Sequence, residues 1–137
     1  MKVFVASSAA RIKNEGYKKA GLIVSDFMLK GKHSWILGGE GWLADRIYQM
    51  EKADLIIILP GDMRTLHDLY TAIESKSVGE HQSPIVVTNI EGYFDDALIM
   101  IDKSICEGFT EESVQDLYDI VHSAEELSNY LESLEKK

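Results

Sequence analysis

The feature that most constrains the fold is an apolar run, LIIIL at residues 55–59, that ends abruptly at Pro60-Gly61. A strand that is apolar on both faces is typical of the centre of a parallel sheet covered by helices on both sides. The residues after the turn have helical apolar spacing, with Leu66, Leu69 and Ile73 on one stripe. The segment therefore predicts a strand–turn–helix junction inside an α/β protein.

The rest of the chain repeats this alternation of strand and helix. Further strands are predicted at Lys2–Ala6, Trp35–Leu37, Pro84–Thr88 and Tyr118–Val121, with amphipathic helical segments between and after them. Strands that alternate with helices form β-α-β units, which build a parallel sheet with right-handed crossovers. We therefore predict a single α/β domain over residues 1–137, with a doubly wound, mostly parallel sheet of about five strands and helices on both faces.

Composition and charge exclude several classes of protein. The 137 residues are 45% hydrophobic, which suits one globular domain with a real core. A formal net charge of -9 disfavours binding to nucleic acid or to an anionic membrane, and no apolar run approaches the length of a membrane span. The N-terminal apolar stretch is too short for a signal peptide, and the single cysteine, Cys106, cannot form an internal disulfide. We predict a cytoplasmic location.

Three predicted strand ends carry residues suited to an anionic ligand. They are Ser7-Ser8, the glycine-rich turn at residues 38–41, and the turn at residues 60–65. Serine hydroxyls can donate to a phosphate, and glycines permit close approach of the backbone. Each turn alone is more often structural, but ligands of doubly wound folds lie beyond the carboxyl ends of the strands. Three such turns on one edge predict a nucleotide site.

The same segments resemble a known family. Residues 60–68, PGDMRTLHD, are similar to the P-G-G-x-G-T-x-x-E signature of the Lonely Guy (LOG) family, often labelled "lysine decarboxylase-like". Downstream, SPIVVTNIEGYFDDALIMIDKSICEGF resembles the family's strand, N-x-x-G-Y-[YF] turn, helix and E-G-F end. Upstream, VFVASSA and WILGGEG resemble its serine loop and glycine-rich loop. The chain is identified as a divergent, shortened member of this family.

The resemblance implies a Rossmann-like homodimer that binds a nucleoside 5′-monophosphate and hydrolyses its N-glycosidic bond. No metal or redox cofactor is implied. Asp68 would be the carboxylate near the sugar, with Arg64 and Arg46 as cations at the phosphate or transition state. Counting back from Ala53 puts Asp45 at the family's catalytic arginine and Arg46 at the lysine after it. The phosphate cradle would comprise Ser7, Ser8, Gly38, Gly39, Gly41, Gly61 and Thr65.

The signature is altered at three positions. Asp62 and Arg64 replace its second and third glycines, and Asp68 replaces its glutamate. Asp62 would repel a phosphate, whereas Arg64 could pair with one. Only about a dozen residues separate Gly41 from Ala53, so one β-α unit of the family is missing. Two alternatives to a hydrolase follow: a catalytically inactive nucleotide sensor or assembly subunit and, more weakly, an enzyme resembling nucleoside deoxyribosyltransferases.

Structural roles are also open to the signature residues. The spacing of Thr65 and Asp68 fits a capping box, in which the threonine caps a helix and the acid reaches back. Arg64 and Asp68 are four residues apart and could form a surface ion pair on that helix. The sequence leaves these roles and ligand contact as competing predictions.

Overall fold

The structure, a computed structural model, describes residues 1–7, 13–37 and 43–136. The predicted turn residues Ser8, Gly38, Gly39 and Gly41 lie outside these ranges. No helix among the described residues is long and apolar enough to cross a membrane.

Strands and helices alternate along the described chain. The helices are α1 (Glu15–Lys30), α2 (Leu43–Lys52), α3 (Met63–Ser77), α4 (Asp95–Cys106) and α5 (Ala124–Glu135). The strands are β1 (Lys2–Ala6), β2 (Ser34–Leu37), β3 (Leu55–Ile58), β4 (Ile85–Thr88) and β5 (Asp119–Val121). Short 3₁₀ segments at Ile90–Gly92 and Glu112–Leu117 flank α4. The predicted alternation is confirmed, and the 3₁₀ segments add to it.

Among the described strands the sheet order is β2-β1-β3-β4-β5, and each neighbouring pair is parallel. The β1–β3 register pairs Val3 with Leu55 and Ala6 with Ile58, so the two strands end level with each other. The chain order reverses between β1 and β3, and in open α/β sheets ligands bind at this point of reversal. The predicted doubly wound, Rossmann-like sheet is confirmed.

Two apolar layers cover the sheet because successive strand residues point to opposite faces. On one face Val3, Leu55 and Ile57 pack with residues of α1 and α5. On the other face Phe4, Ile56 and Ile58 pack with residues of α2, α3 and α4. All four residues of β3 are buried, which is the physical reason for its continuous apolar sequence.

A turn with two consecutive left-handed residues joins β4 to α4. Glu91 has φ of 54° and Gly92 has φ of 72°. A β-carbon on Gly92 would lie 2.5 Å from Asp95 Oδ2. Asp95 cannot move freely, because its Oδ1 accepts a 2.7 Å hydrogen bond from Asn89 Nδ2. The turn therefore needs glycine at position 92 for both conformation and space.

Replacing Gly92 by alanine is expected to destabilise the protein by roughly 2 kcal/mol, from left-handed strain together with the Asp95 contact. Gly79→Ala is the matched control, since Gly79 has φ of 85° and nothing lies within 4 Å of its added β-carbon. It should cost only the strain, about 1 kcal/mol. Urea unfolding of both variants measures the difference. Equal losses of unfolding free energy in the two variants would show that Asp95 moves away from the added β-carbon without an energetic cost.

Candidate functional site

The strand–turn–helix junction at β3 is closed by an acidic cap. Asp62 is the N-cap of α3, and its carboxylate accepts hydrogen bonds from the Arg64 and Thr65 backbone amides at 3.2 and 3.4 Å. Free amides at a helix N-terminus attract anions, and here a side chain of the same chain takes two of them. The predicted capping box with Thr65 as the cap is wrong, because the cap is Asp62, three residues earlier, and α3 begins at Met63.

Asp68 pairs with Arg46 instead of reaching back along its own helix. Arg46 Nε donates to Asp68 Oδ1 at 2.7 Å, and Arg46 Nη2 donates to Asp68 Oδ2. The two residues come from α2 and α3 and are only 1% and 0% exposed. A surface ion pair between Arg64 and Asp68 is therefore wrong, since Asp68 is buried. The bidentate geometry holds the carboxylate in one orientation.

Burial and pairing act in opposite directions on the Asp68 carboxyl group. Burial raises the pKa of Asp68 above its usual value, while the Arg46 hydrogen bonds and charge lower it. Each carboxylate oxygen keeps a second lone pair, because Arg46 uses only one on each. Arg46 Nη1 is buried and has no hydrogen-bond partner among the described residues. The pair thus retains both donor and acceptor capacity.

The left-handed turn after β4 also contacts this junction. The Tyr93 hydroxyl donates to the carbonyl of Gly61, in the turn at residues 60–65 that we call the signature turn. The Tyr93 ring makes edge contacts with Tyr17 of α1 and with Phe94, at centroid distances of 5.6 and 5.0 Å. At the start of α1, Asn14 Nδ2 donates to Glu91 Oε2 at 2.6 Å. Two loops and a helix therefore fix the backbone of the signature turn.

A cavity of about 480 Å³ opens at the carboxyl ends of β1 and β3. One end is formed by Ser7, Leu59 and Pro60, which follow those strands. It then runs between α1 and β2, where its lining is mainly apolar and includes Tyr17 and Trp35. The volume is within the range of small-molecule pockets. We call this cavity the α1–β2 groove.

Comparison with known proteins decides which family the chain belongs to. A family model described as "Possible lysine decarboxylase" matches residues 43–131, a span that contains Arg46, the signature turn and Asp68. The chain belongs to this lysine decarboxylase-like family. The predicted resemblance to LOG proteins is confirmed by the relatives that it matches.

The matched relatives of this lysine decarboxylase-like chain include plant LOG proteins. Cytokinin riboside 5′-monophosphate phosphoribohydrolase LOG7 of Arabidopsis thaliana is 34% identical over 84 residues, covering 61% of this chain and 39% of the relative. LOG1 of the same plant is 36% identical over 80 residues, covering 58% and 38%. The matches thus span only about two fifths of these relatives. Among solved structures, a Clostridium botulinum CMP N-glycosidase, BcmB, matches over 100% of both chains with 16% identity and a TM-score of 0.48.

The structure brings together some of the site residues predicted for this lysine decarboxylase-like protein. Arg46 and Asp68 are in direct contact, although α2 and α3 are separated in sequence. Thr65 is buried in the first turn of α3, and Arg64 is exposed beside it. Ser7 lines the α1–β2 groove and Gly61 accepts the Tyr93 hydrogen bond.

Sequence reasoning missed two residues that shape the junction. The resemblance makes Asp62 only a source of repulsion toward a phosphate, although aspartate directly before a helix is a favoured N-cap. Tyr93 lies in the recognised N-x-x-G-Y turn, yet its contact with Gly61 joins residues 32 positions apart. No local sequence pattern indicates a contact of that range.

Proposed function

We propose that this chain hydrolyses the N-glycosidic bond of a nucleoside 5′-monophosphate, releasing the base and ribose 5-phosphate. The observation that carries the proposal is the buried Arg46–Asp68 pair beside the signature turn. Membership of the lysine decarboxylase-like family and the names of the LOG relatives support the same reaction class.

The chemistry assigns a role to each member of the pair. Cleavage of the bond between C1′ and the base nitrogen gives an oxocarbenium-like transition state, which a fixed carboxylate stabilises. Asp68 supplies that negative charge or takes a proton from the water that attacks C1′. The water oxygen joins C1′ as the bond from C1′ to the base nitrogen breaks, the water loses one proton, and the departing base takes up one proton. Arg46 holds the carboxylate in place, and its Nη1 is available to an oxygen of the sugar or phosphate.

Charge distribution favours an anionic ligand at the N-terminal part of the chain. Residues 1–53 contain nine basic and five acidic residues, whereas residues 54–137 contain five basic and 18 acidic residues. Arg64 is exposed at the α3 N-terminus and Ser7 directly follows β1, so we assign both to the phosphate. Ser8, Gly38, Gly39 and Gly41 belong to the same proposed cradle.

We also propose that the protein acts as a homodimer in the cytoplasm. Large apolar side chains are exposed on and near α3 and α4, including Met63, Met100 and Phe109. We assign these side chains to the dimer interface, since contiguous exposed apolar surface marks interaction sites. Sedimentation equilibrium should give twice the mass of one chain, and a single-chain mass across the micromolar range would contradict a dimer.

The direct test of the reaction is a panel of purine and pyrimidine nucleoside 5′-monophosphates incubated with the protein. Free base and ribose 5-phosphate are separated by chromatography and quantified over time. The proposal expects the two products in equal amounts from at least one member of the panel. Release of base from unphosphorylated nucleosides alone would contradict the monophosphate assignment.

A second candidate function is nucleotide binding without catalysis. It is favoured by the burial of the Arg46–Asp68 pair. Asp68 is 0% exposed, and both of its oxygens accept from Arg46. A substrate sugar reaches Asp68 only when the side chains that cover it move aside. Saturable binding of a nucleotide with no product after long incubation would identify this candidate and exclude the hydrolase.

The Asp62 cap predicts a gain in nucleotide affinity when its charge is removed. Asparagine caps helices as well as aspartate does, so Asp62→Asn should leave stability unchanged and lower the Kd for a monophosphate about fivefold. Asp62→Ala removes both charge and cap, and should cost about 1 kcal/mol of stability. Calorimetric titration and urea unfolding measure the two effects. An unchanged Kd in Asp62→Asn would show that no phosphate binds near the α3 N-terminus.

A further inference from the structure

We propose that the α1–β2 groove holds the base of the bound nucleotide. Trp35 and Gly21 then determine how tightly the nucleotide binds. The inference rests on the proposed function for the identity of the ligand, but not on turnover. It adds a base-binding surface from α1 and β2, both outside the span of the family match.

The groove lies at the edge of the sheet where a nucleotide is expected. Its inner end is formed by Ser7, Leu59 and Pro60, at the carboxyl ends of the two strands between which the sheet order reverses. The same turn continues through Gly61 to α3, which carries Asp68. A nucleotide bound across this edge would direct its sugar toward α3 and its base into the groove on the α1 side.

The lining of the groove is suited to a nucleotide base. Trp35 is 43% exposed on β2, and its register partner Val3 faces the α1 side of the sheet. Tyr17 and the apolar side chains of Val5 and Leu59 contribute to the same cavity. Flat apolar walls with an aromatic ring suit a purine or pyrimidine, because a base stacks on an aromatic side chain. Lys18 and Ser25 supply polar groups at this surface.

Gly21 is a glycine at a position where the fold does not require one. It lies inside the 16-residue helix α1, where glycine costs roughly 0.5–1 kcal/mol relative to alanine. Its backbone has no positive φ, and nothing lies within 4 Å of an added β-carbon. Neither backbone conformation nor crowding therefore requires glycine. What the missing side chain contributes is room in the groove.

Gly21→Leu tests the inference, since leucine fits the open space and favours the helix. Kd values are measured for a panel of nucleoside 5′-monophosphates and for ribose 5-phosphate, which has no base. We expect at least about tenfold weaker binding of the monophosphates and unchanged binding of ribose 5-phosphate. Trp35→Ala should weaken monophosphate binding by at least about fivefold. Lys19→Leu is the matched control, because it adds a leucine to α1 outside the groove.

The outcomes separate this inference from the proposed reaction. If Gly21→Leu and Trp35→Ala bind monophosphates as tightly as the parent protein, the groove assignment is overturned, whether or not hydrolysis occurs. Equal weakening of monophosphate and ribose 5-phosphate binding also overturns it, as does the absence of nucleotide binding to the parent. Selective weakening without any hydrolysis supports the groove and refutes the enzyme.

Discussion

Replacing Asp68 by asparagine is expected to lower kcat for base release by at least about 100-fold, in line with the loss of a catalytic carboxylate. Asparagine has nearly the same shape and keeps one oxygen to accept from Arg46, while its amide nitrogen cannot accept the second guanidinium hydrogen bond, so urea unfolding of this variant accompanies the assay. It has no negative charge for the transition state and cannot take a proton from water. The effect should therefore fall on kcat, with little change in nucleotide Kd. Product formation by the panel assay and Kd by calorimetry give the two quantities.

The matched control is Glu74→Gln, which neutralises an exposed carboxylate on the same helix. It should leave kcat unchanged. A kcat for Asp68→Asn within threefold of the parent value would exclude Asp68 as the catalytic carboxylate. The Arg46–Asp68 pair would then have only a structural role, even if another group performed the reaction.

Replacing Arg46 by alanine is expected to destabilise the protein by about 3–5 kcal/mol, because it leaves the Asp68 carboxylate buried without its cation. Burial already raises the pKa of Asp68, and Arg46 opposes that rise. Without Arg46 the pKa of Asp68 must rise further. Urea unfolding of the variant and the parent measures the loss.

The pH dependence of this loss has a definite sign. A carboxyl group with a raised folded-state pKa favours folding at acid pH, and this contribution is lost as the pH rises through the folded value. The difference in unfolding free energy between Arg46→Ala and the parent should therefore be smaller at pH 4 than at pH 7. A difference that grows toward acid pH would contradict the predicted direction of the pKa shift.

A double variant separates the structural cost from the catalytic one. Replacing a buried ion pair by apolar residues of similar volume is often neutral or stabilising. Arg46→Met combined with Asp68→Leu should therefore recover most of the stability lost in Arg46→Ala. It should release no base. A double variant that is stable and active would refute the catalytic role of the pair.

The sheet could be predicted from sequence because its strands carry a strong local signal. The four residues of β3 are apolar and buried on both faces, and the helices that flank it have amphipathic spacing. Such patterns are set by residues only two to four positions apart in the sequence, so they can be read without knowing the tertiary structure. The family resemblance and the strand–turn–helix junction follow from the same local information.

The site could be predicted only in its parts. Thr65 and Asp68 fit a capping box as a pattern, but Asp62 competes for the same cap and lies where the helix begins. Asp68 is then free to be buried, and its desolvation is offset in part by Arg46 from another helix. Such a pairing depends on how α2 packs against α3, which no short pattern specifies.

The position of β1 in the sheet also has a consequence for the order in which the protein can fold during synthesis. β1 pairs with β2 on one side and with β3 on the other, so β1 cannot complete its pairing until residue 58 has emerged from the ribosome. The Arg46–Asp68 pair spans only 22 residues and can form soon afterwards. The Asn14–Glu91 contact spans 77 residues. The loop after β4, which contacts the signature turn, can therefore dock only after the Arg46–Asp68 pair is able to form.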